Sequence, residues 1–174
     1  AKLMSFIGGK GMSRRIGKLT LKRNCKVNDY IHKASRFIVN YCMENHIETI
    51  VIGNNKDWKQ HCNMGKRNNQ NFVGIPFEKL ISQIQYKADE LGIKVVTTEE
   101  SYTSKIDHYA GEEMCHHETY LGKRIQRGLF RSSTGKVLNA DLNGAIGILR
   151  KVVGESISQV VNRGGVETPT RLLV

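Results

Sequence analysis

Paired cysteines, long apolar runs and acidic charge are what this sequence is short of. Its four cysteines (Cys25, Cys42, Cys62 and Cys115) are scattered and never form C-x-x-C, so neither a disulfide scaffold nor a zinc ribbon is signalled, and reduced thiols are expected. No uninterrupted apolar run approaches the length of a membrane span, and residues 1–10 lack the apolar core and cleavage site of a signal peptide. These absences exclude a membrane partner and lead us to expect a cytoplasmic, nucleic-acid-associated protein. The chain starts on Ala1 with no initiator methionine, as expected of a processed product, an expression product or a fragment. Sixteen Asp and Glu face 27 Lys and Arg, a net charge of +11. A field of that sign favours polyanions, with nucleic acid the first candidate.

With 174 residues and 39% hydrophobic content, the chain can bury one real core, so one domain with appendages is the default. Residues 1–46 read as a basic arm followed by an amphipathic helix. Up to residue 36 the only acid is Asp29, and Arg14, Arg15, Lys18 and Lys22 are spaced to line one helix face, with Arg23 beside them. An imbalance of sign on this scale reads as a surface for a phosphate backbone rather than a merely solvated face. From Val27, Ile31, Ala34, Ile38 and Cys42 recur at helical spacing.

Residues 47–103 read as a βαβ unit. Thr49-Ile50-Val51-Ile52 is a short β-branched strand ending at Gly53. After an Asn-, Lys- and Gln-rich loop over 54–71, Pro76 opens a helix with Phe77, Leu80, Ile81, Ile84, Ala88 and Leu91 on one face, and Ile93 to Thr98 is a second strand. A strand, a helix and a strand in this order predict parallel pairing with a right-handed crossover. Both carboxyl ends then open on one edge, where ligands bind in open α/β sheets. That edge carries Gly53, Asn54, Glu99 and Glu100.

Residues 104–138 read as an inserted loop with a β-hairpin whose turn is Thr134-Gly135. Lys123, Arg124, Arg127 and Arg131 alternate there with Ile125, Leu129 and Phe130, a pattern that favours a cationic ribbon along a phosphate track over an ordinary exposed hairpin face. His108, Cys115, His116 and His117 are expected to be incidental, because structural zinc needs four ligands in spaced pairs. Trp58 could stack on a base but fits a core edge better. The final helix spans residues 139–154, with Leu142, Ala145, Ile146, Leu149 and Val152 inward, and Gly144 and Gly147 imply close packing. The tail, 155–174, is expected to be loosely ordered.

Asp141 falls in the first turn of that helix, where the helix dipole favours a carboxylate. Position alone makes it only a favourable N-terminal acid. In company with acids at a strand mouth it suggests a phosphodiesterase site, since oxygen ligands suit a magnesium ion that must also hold phosphate.

Several segments together, Leu19 to Asn24, Ile50 to Asn54, Tyr102 to Lys105, Gly122 to Arg124, Asn139 to Ala145 and Val161 to Gly164, resemble the carboxyl-terminal half of TnpB. TnpB proteins are transposon-encoded RNA-guided DNA endonucleases related to type V CRISPR effectors and to Fanzor proteins. The resemblance implies an RNase H-like, RuvC-type α/β fold, two bound Mg2+ ions in the intact protein, and guide RNA and target DNA as partners. It makes Asp141 the last catalytic aspartate. The family's usual glutamate position is Gly53 here, so the chain looks like the subgroup with a relocated glutamate at Glu100, with Glu99 as the fallback. Against the family pattern, no residue before Asp29 supplies the first catalytic aspartate, the preceding recognition domain is missing, and the zinc ribbon's cysteine pairs are absent. An incomplete RuvC-like domain that is inactive by itself is therefore expected, with a basic helical arm and a metal-free hairpin in place of the zinc ribbon. The alternatives are a nuclease-inactive DNA- or RNA-binding relative and a decayed remnant with an exposed sheet edge.

Overall fold

The computed structural model of the chain describes residues 13–55 and 75–154. Trp58, Cys62 and the tail lie outside them, as does most of the polar loop over 54–71. The described residues fall into two compact units.

The first unit is a pair of helices, α1 (Arg14–Glu44) and α2 (Phe77–Asp89). Ser13 caps α1, its hydroxyl accepting from the Ile16 amide at 3.3 Å. Basic arm and amphipathic segment form one continuous helix, because no proline interrupts them. Ile31, Ser35, Val39 and Cys42 are buried along one stripe, and Ile84 and Ala88 are buried on α2. Two polar residues, Gln83 and Lys87, share that burial, whereas Leu91, expected on the apolar face, is exposed just past the helix end. Lys87 is accommodated because its ammonium donates to the His32 carbonyl at 2.9 Å and to the Ser35 hydroxyl at 2.6 Å. Burial lowers its pKa and raises that of the Cys42 thiol.

The second unit holds two sheets and a helix. Strands β1 (Thr49–Gly53) and β2 (Lys94–Thr98) pair in parallel with Thr49 opposite Lys94 and Gly53 opposite Thr98, so their carboxyl ends share one edge as expected. Strands β3 (Lys123–Gln126), β4 (Leu129–Arg131) and β5 (Val137–Asn139) make an antiparallel sheet in that order. The expected single hairpin is thus a three-stranded meander. Thr134-Gly135 does turn between β4 and β5, but Arg127-Gly128 makes a second turn, with Gly128 at a φ of 80° that glycine adopts without strain.

Helix α3 (Ala140–Val153) packs on both sheets. The core comprises Tyr109, Phe130, Leu138, Ala140 and Ile146, with Leu142 against it. The inward face of α3 differs from the apolar periodicity: Ala140, Asn143, Ile146, Gly147 and Arg150 are buried, while Ala145, Leu149 and Val152 are exposed. The reason is polar: the surface that α3 covers carries backbone carbonyls and a histidine, which demand Asn and Arg opposite them. Among the described residues no helix is long and apolar enough to cross a membrane.

Candidate functional site

Glu100 lies just past β2, at the mouth that β1 and β2 share. Its backbone amide donates to Asn55 Oδ1 at 2.9 Å, and Asn55 Nδ2 lies 3.4 Å from its Oε2. Asn54 completes the seam by donating to the Thr98 carbonyl at 2.8 Å. The half-buried side chain folds over Gly53. A Cβ on Gly53 would collide with the Glu100 carboxylate, fall 2.5 Å from its Cγ and lie 2.7 Å from Ile148 Cδ1. The carboxylate thus occupies the volume that a side chain at the end of β1 would fill.

Glu99 is exposed and accepts from the Ser101 hydroxyl, so it stands apart from that seam. Asp141 is exposed in the first turn of α3, and the Asn139 carboxamide caps that turn by accepting from the Asp141 and Leu142 amides at 2.8 and 3.2 Å. Glu100 and Asp141 belong to one unit, but the α3 residue packed against Gly53 is Ile148, about two turns or roughly 10 Å along the axis from Asp141. Among the described residues no three His, Cys, Asp or Glu side chains are grouped to hold a metal ion. The donors suit a hard cation in kind, yet in number they fall short of a centre.

The cationic residues are surface groups. Arg14, Arg15, Lys18, Lys22 and Arg23 are all exposed on the first part of α1, and Lys123, Arg124, Arg127 and Arg131 are exposed on β3, β4 and the turn between them. They form no ion pairs among the described residues, where the pairs are Lys33 with Asp29 and Arg36 with Glu90. Their charge is available to an external anion.

A buried polar knot supports this surface, and sequence reasoning missed most of it. Asp107, fully buried, accepts from the Ala110 amide, from the Ser132 hydroxyl, and from the amide and hydroxyl of Ser133, at 2.7 to 3.2 Å. Glu112 accepts from the amides of Asp107 and Leu121 at 2.7 and 2.9 Å. His108 Nε2 lies 2.8 Å from the Thr103 carbonyl, and the Arg150 guanidinium lies 3.4 Å from Nδ1 and donates to the Glu112 carbonyl at 2.6 Å. The arrangement assigns the proton to Nε2 of a neutral ring. Burial lowers the His108 pKa and Arg150 adds to this, against the Thr103 carbonyl, Asp107 and Glu112.

Asn143 Nδ2 donates to the Ile106 carbonyl at 3.0 Å. A Cβ on Gly147 would fall 2.5 Å from His108 Nε2, so this glycine admits the imidazole. The readable signal was the helical spacing of Asn143, Gly147 and Arg150, a polar stripe of period near 3.6. The other residues weighed as ligands are engaged locally: Cys115 Sγ lies 3.4 Å from His117 Nε2, which bonds the Glu113 carbonyl at 2.8 Å, and His116 meets the Tyr102 ring edgewise.

Fold and site together define a mixed α/β protein with an acidic strand mouth and a strongly basic surface. The same fold occurs in a solved structure described as the cryo-EM structure of the Cas12f1-sgRNA-target DNA complex, with a TM-score of 0.60 and 21% identity over 78% of this chain and 36% of that one. A family profile described as "Probable transposase" matches residues 2–59, and one described as "Cas12f1-like, TNB domain" matches residues 77–148. The TnpB-like protein ORF457 of Acidianus two-tailed virus is 33% identical over 66% of this chain and 22% of its own length. The CRISPR-associated endodeoxyribonuclease Cas12f1 of Sulfoacidibacillus thermotolerans is 30% identical over 86% of this chain and 35% of its own length. The chain belongs to the TnpB-type proteins, which are related to the type V effectors. It spans between about a fifth and a third of the length of these curated relatives.

Proposed function

We propose that this chain is the RuvC-like, RNase H-type part of a transposon-encoded, RNA-guided DNA endonuclease, in which Glu100 and Asp141 are carboxylate ligands for Mg2+. The observation that carries this reading is the Glu100 side chain lodged over Gly53. It brings a carboxylate to the end of β1 from just past the neighbouring strand, which supports the relocation that the resemblance implies. Because the described acids do not complete a cation centre, further carboxylates must come from elsewhere in the intact protein. Bound Mg2+ there would activate water and stabilise the leaving oxygen of a phosphodiester.

The chain's own groups have narrower tasks. The Asn55 carboxamide orients Glu100, the Asn139 cap fixes the turn bearing Asp141, and the cationic residues of α1 and of β3 and β4 hold phosphate backbone. Guide RNA and target DNA are the partners this reading names, in a cytoplasmic setting. The structural neighbour, a Cas12f1-sgRNA-target DNA complex, supports that choice.

The test is magnesium-dependent DNA cleavage by the full-length protein with its guide. Glu100→Ala and Asp141→Ala should each lower the rate by about 100-fold or more, the scale on which one preorganised electrostatic group acts. Unchanged cutting by both variants removes the site assignment. A nuclease-inactive binder is the second reading, favoured by the incomplete acid set among the described residues. It predicts guide-dependent DNA binding with no cleavage in Mg2+ by the full-length protein itself.

A further inference from the structure

The turn that carries Glu100 is held from its buried side by α3. Thr103 donates twice to the Glu100 carbonyl, from its hydroxyl at 2.8 Å and from its amide at 3.2 Å. The Thr103 carbonyl in turn accepts from His108 Nε2 at 2.8 Å. Thr103, His108 and Arg150 are buried, Glu100 is half-buried and Tyr102 is exposed. Within the turn Tyr102 has a φ of 65°, a left-handed conformation that a residue with a Cβ keeps only where its surroundings impose it.

Two residues of α3 fix the imidazole. Gly147 leaves room for it, since a Cβ there would fall 2.5 Å from His108 Nε2 and 2.8 Å from the Thr103 Cβ. The Arg150 guanidinium beside Nδ1 can only donate, which makes Nδ1 the acceptor and sends the single proton of the neutral ring to Nε2, facing Thr103. A hydrogen-bonded path thus runs from α3 through His108 and Thr103 to the Glu100 backbone. On the opposite side the Glu100 amide donates to Asn55 Oδ1.

We propose, on the reading that Glu100 and Asp141 are Mg2+ ligands, that His108 is a positioning residue for Glu100. It docks the turn over 100–103 on α3, the helix whose first turn bears Asp141, and so sets where one carboxylate stands relative to the other. Groups that orient a ligand without touching the metal govern its affinity. Loss of the His108 donor therefore weakens the use of Mg2+ while both carboxylates remain. A histidine that merely filled space under α3 would have no such effect.

Hydrogen exchange of the full-length protein in EDTA, followed by mass spectrometry, is the first measurement. His108→Leu keeps similar bulk and removes the donor. It should speed exchange in peptides spanning 99–106 by about tenfold, the effect of one buried hydrogen bond, and leave peptides spanning 142–150 within about threefold. His108→Gln, whose amide reaches about as far as Nε2, should restore most of the protection. In cleavage assays His108→Leu should need about tenfold more Mg2+ for half its maximal rate, with that maximal rate nearly kept, and His108→Gln should again recover.

The proposal fails if His108→Leu exchanges like the unaltered protein at 99–106, if 142–150 speeds up equally, or if the Mg2+ requirement does not move. Should His108→Leu not fold, Thr103→Val takes its place, because it removes the hydroxyl bond to Glu100 and keeps the shape. It must then show the same two shifts. If the protein cuts without Glu100, or does not cut at all, the ligand reading is overturned, and exchange in EDTA alone decides whether His108 docks the turn.

Discussion

His108 shows how a single residue couples this protein to pH. Its imidazole is neutral between the Thr103 carbonyl and the Arg150 guanidinium, and burial holds its pKa below the ordinary value of about 6.5. The unfolded chain therefore binds a proton near pH 6.5 that the folded chain takes up only at lower pH. The resulting stability is complete above about pH 6.5 and declines as pH falls through the interval below it. The midpoint of urea unfolding should drop between pH 7.5 and 5.5, and His108→Gln should flatten that drop while lowering the midpoint at pH 7.5. An equal pH dependence in the variant would show that other groups carry it. Sequence placed this histidine in a loop with incidental ligands, since nothing in the local pattern shows that Gly147, far along the chain, leaves room for it.

Among the elements, α3 separates what periodicity reveals from what it hides. Its extent, read as 139–154 and found as Ala140–Val153, and the place of Asp141 in its first turn were legible, because helix ends carry local signals. Its inward face was not. Apolar spacing pointed to Leu149 and Val152, whereas a carbonyl, an imidazole and the Glu112 backbone select Asn143, Gly147 and Arg150. The meander was half legible for a similar reason: Thr134-Gly135 announces a turn, but Arg127-Gly128 lay inside a run read as one strand.

The two helix glycines, weighed alike from sequence, divide here. Gly144→Ala meets nothing within 4 Å and should stabilise by up to about 1 kcal/mol through helix propensity. Gly147→Ala drives a methyl into His108 and the Thr103 Cβ and should destabilise by about 1 to 3 kcal/mol. Chemical denaturation of both variants checks the pair, and equal shifts of one sign would refute the close packing of α3 on the His108 loop.

On the scale of the whole molecule, the parallel strand pair was readable because a strand, a helix and a strand at these lengths have few alternatives. That Glu100 could stand in for a side chain at Gly53 was readable only through family resemblance, since composition and spacing give no distance between strand ends. In the structure a Cβ is missing at the end of one strand and the Glu100 side chain, from just past the next, lies over the gap. The exposed cations on α1 and on the meander contribute to the positive field, while among the described residues the carboxylates provide too few ligands for a metal centre.

The most direct test of this exchange is cleavage by the full-length protein in three forms: unaltered, Glu100→Gly, and Gly53→Glu combined with Glu100→Gly. If the strand mouth needs one carboxylate and accepts it from either side, the single variant loses cleavage by about 100-fold or more and the double variant recovers much of it. Full cleavage by Glu100→Gly would contradict the account, as would a correctly folded double variant with no recovery.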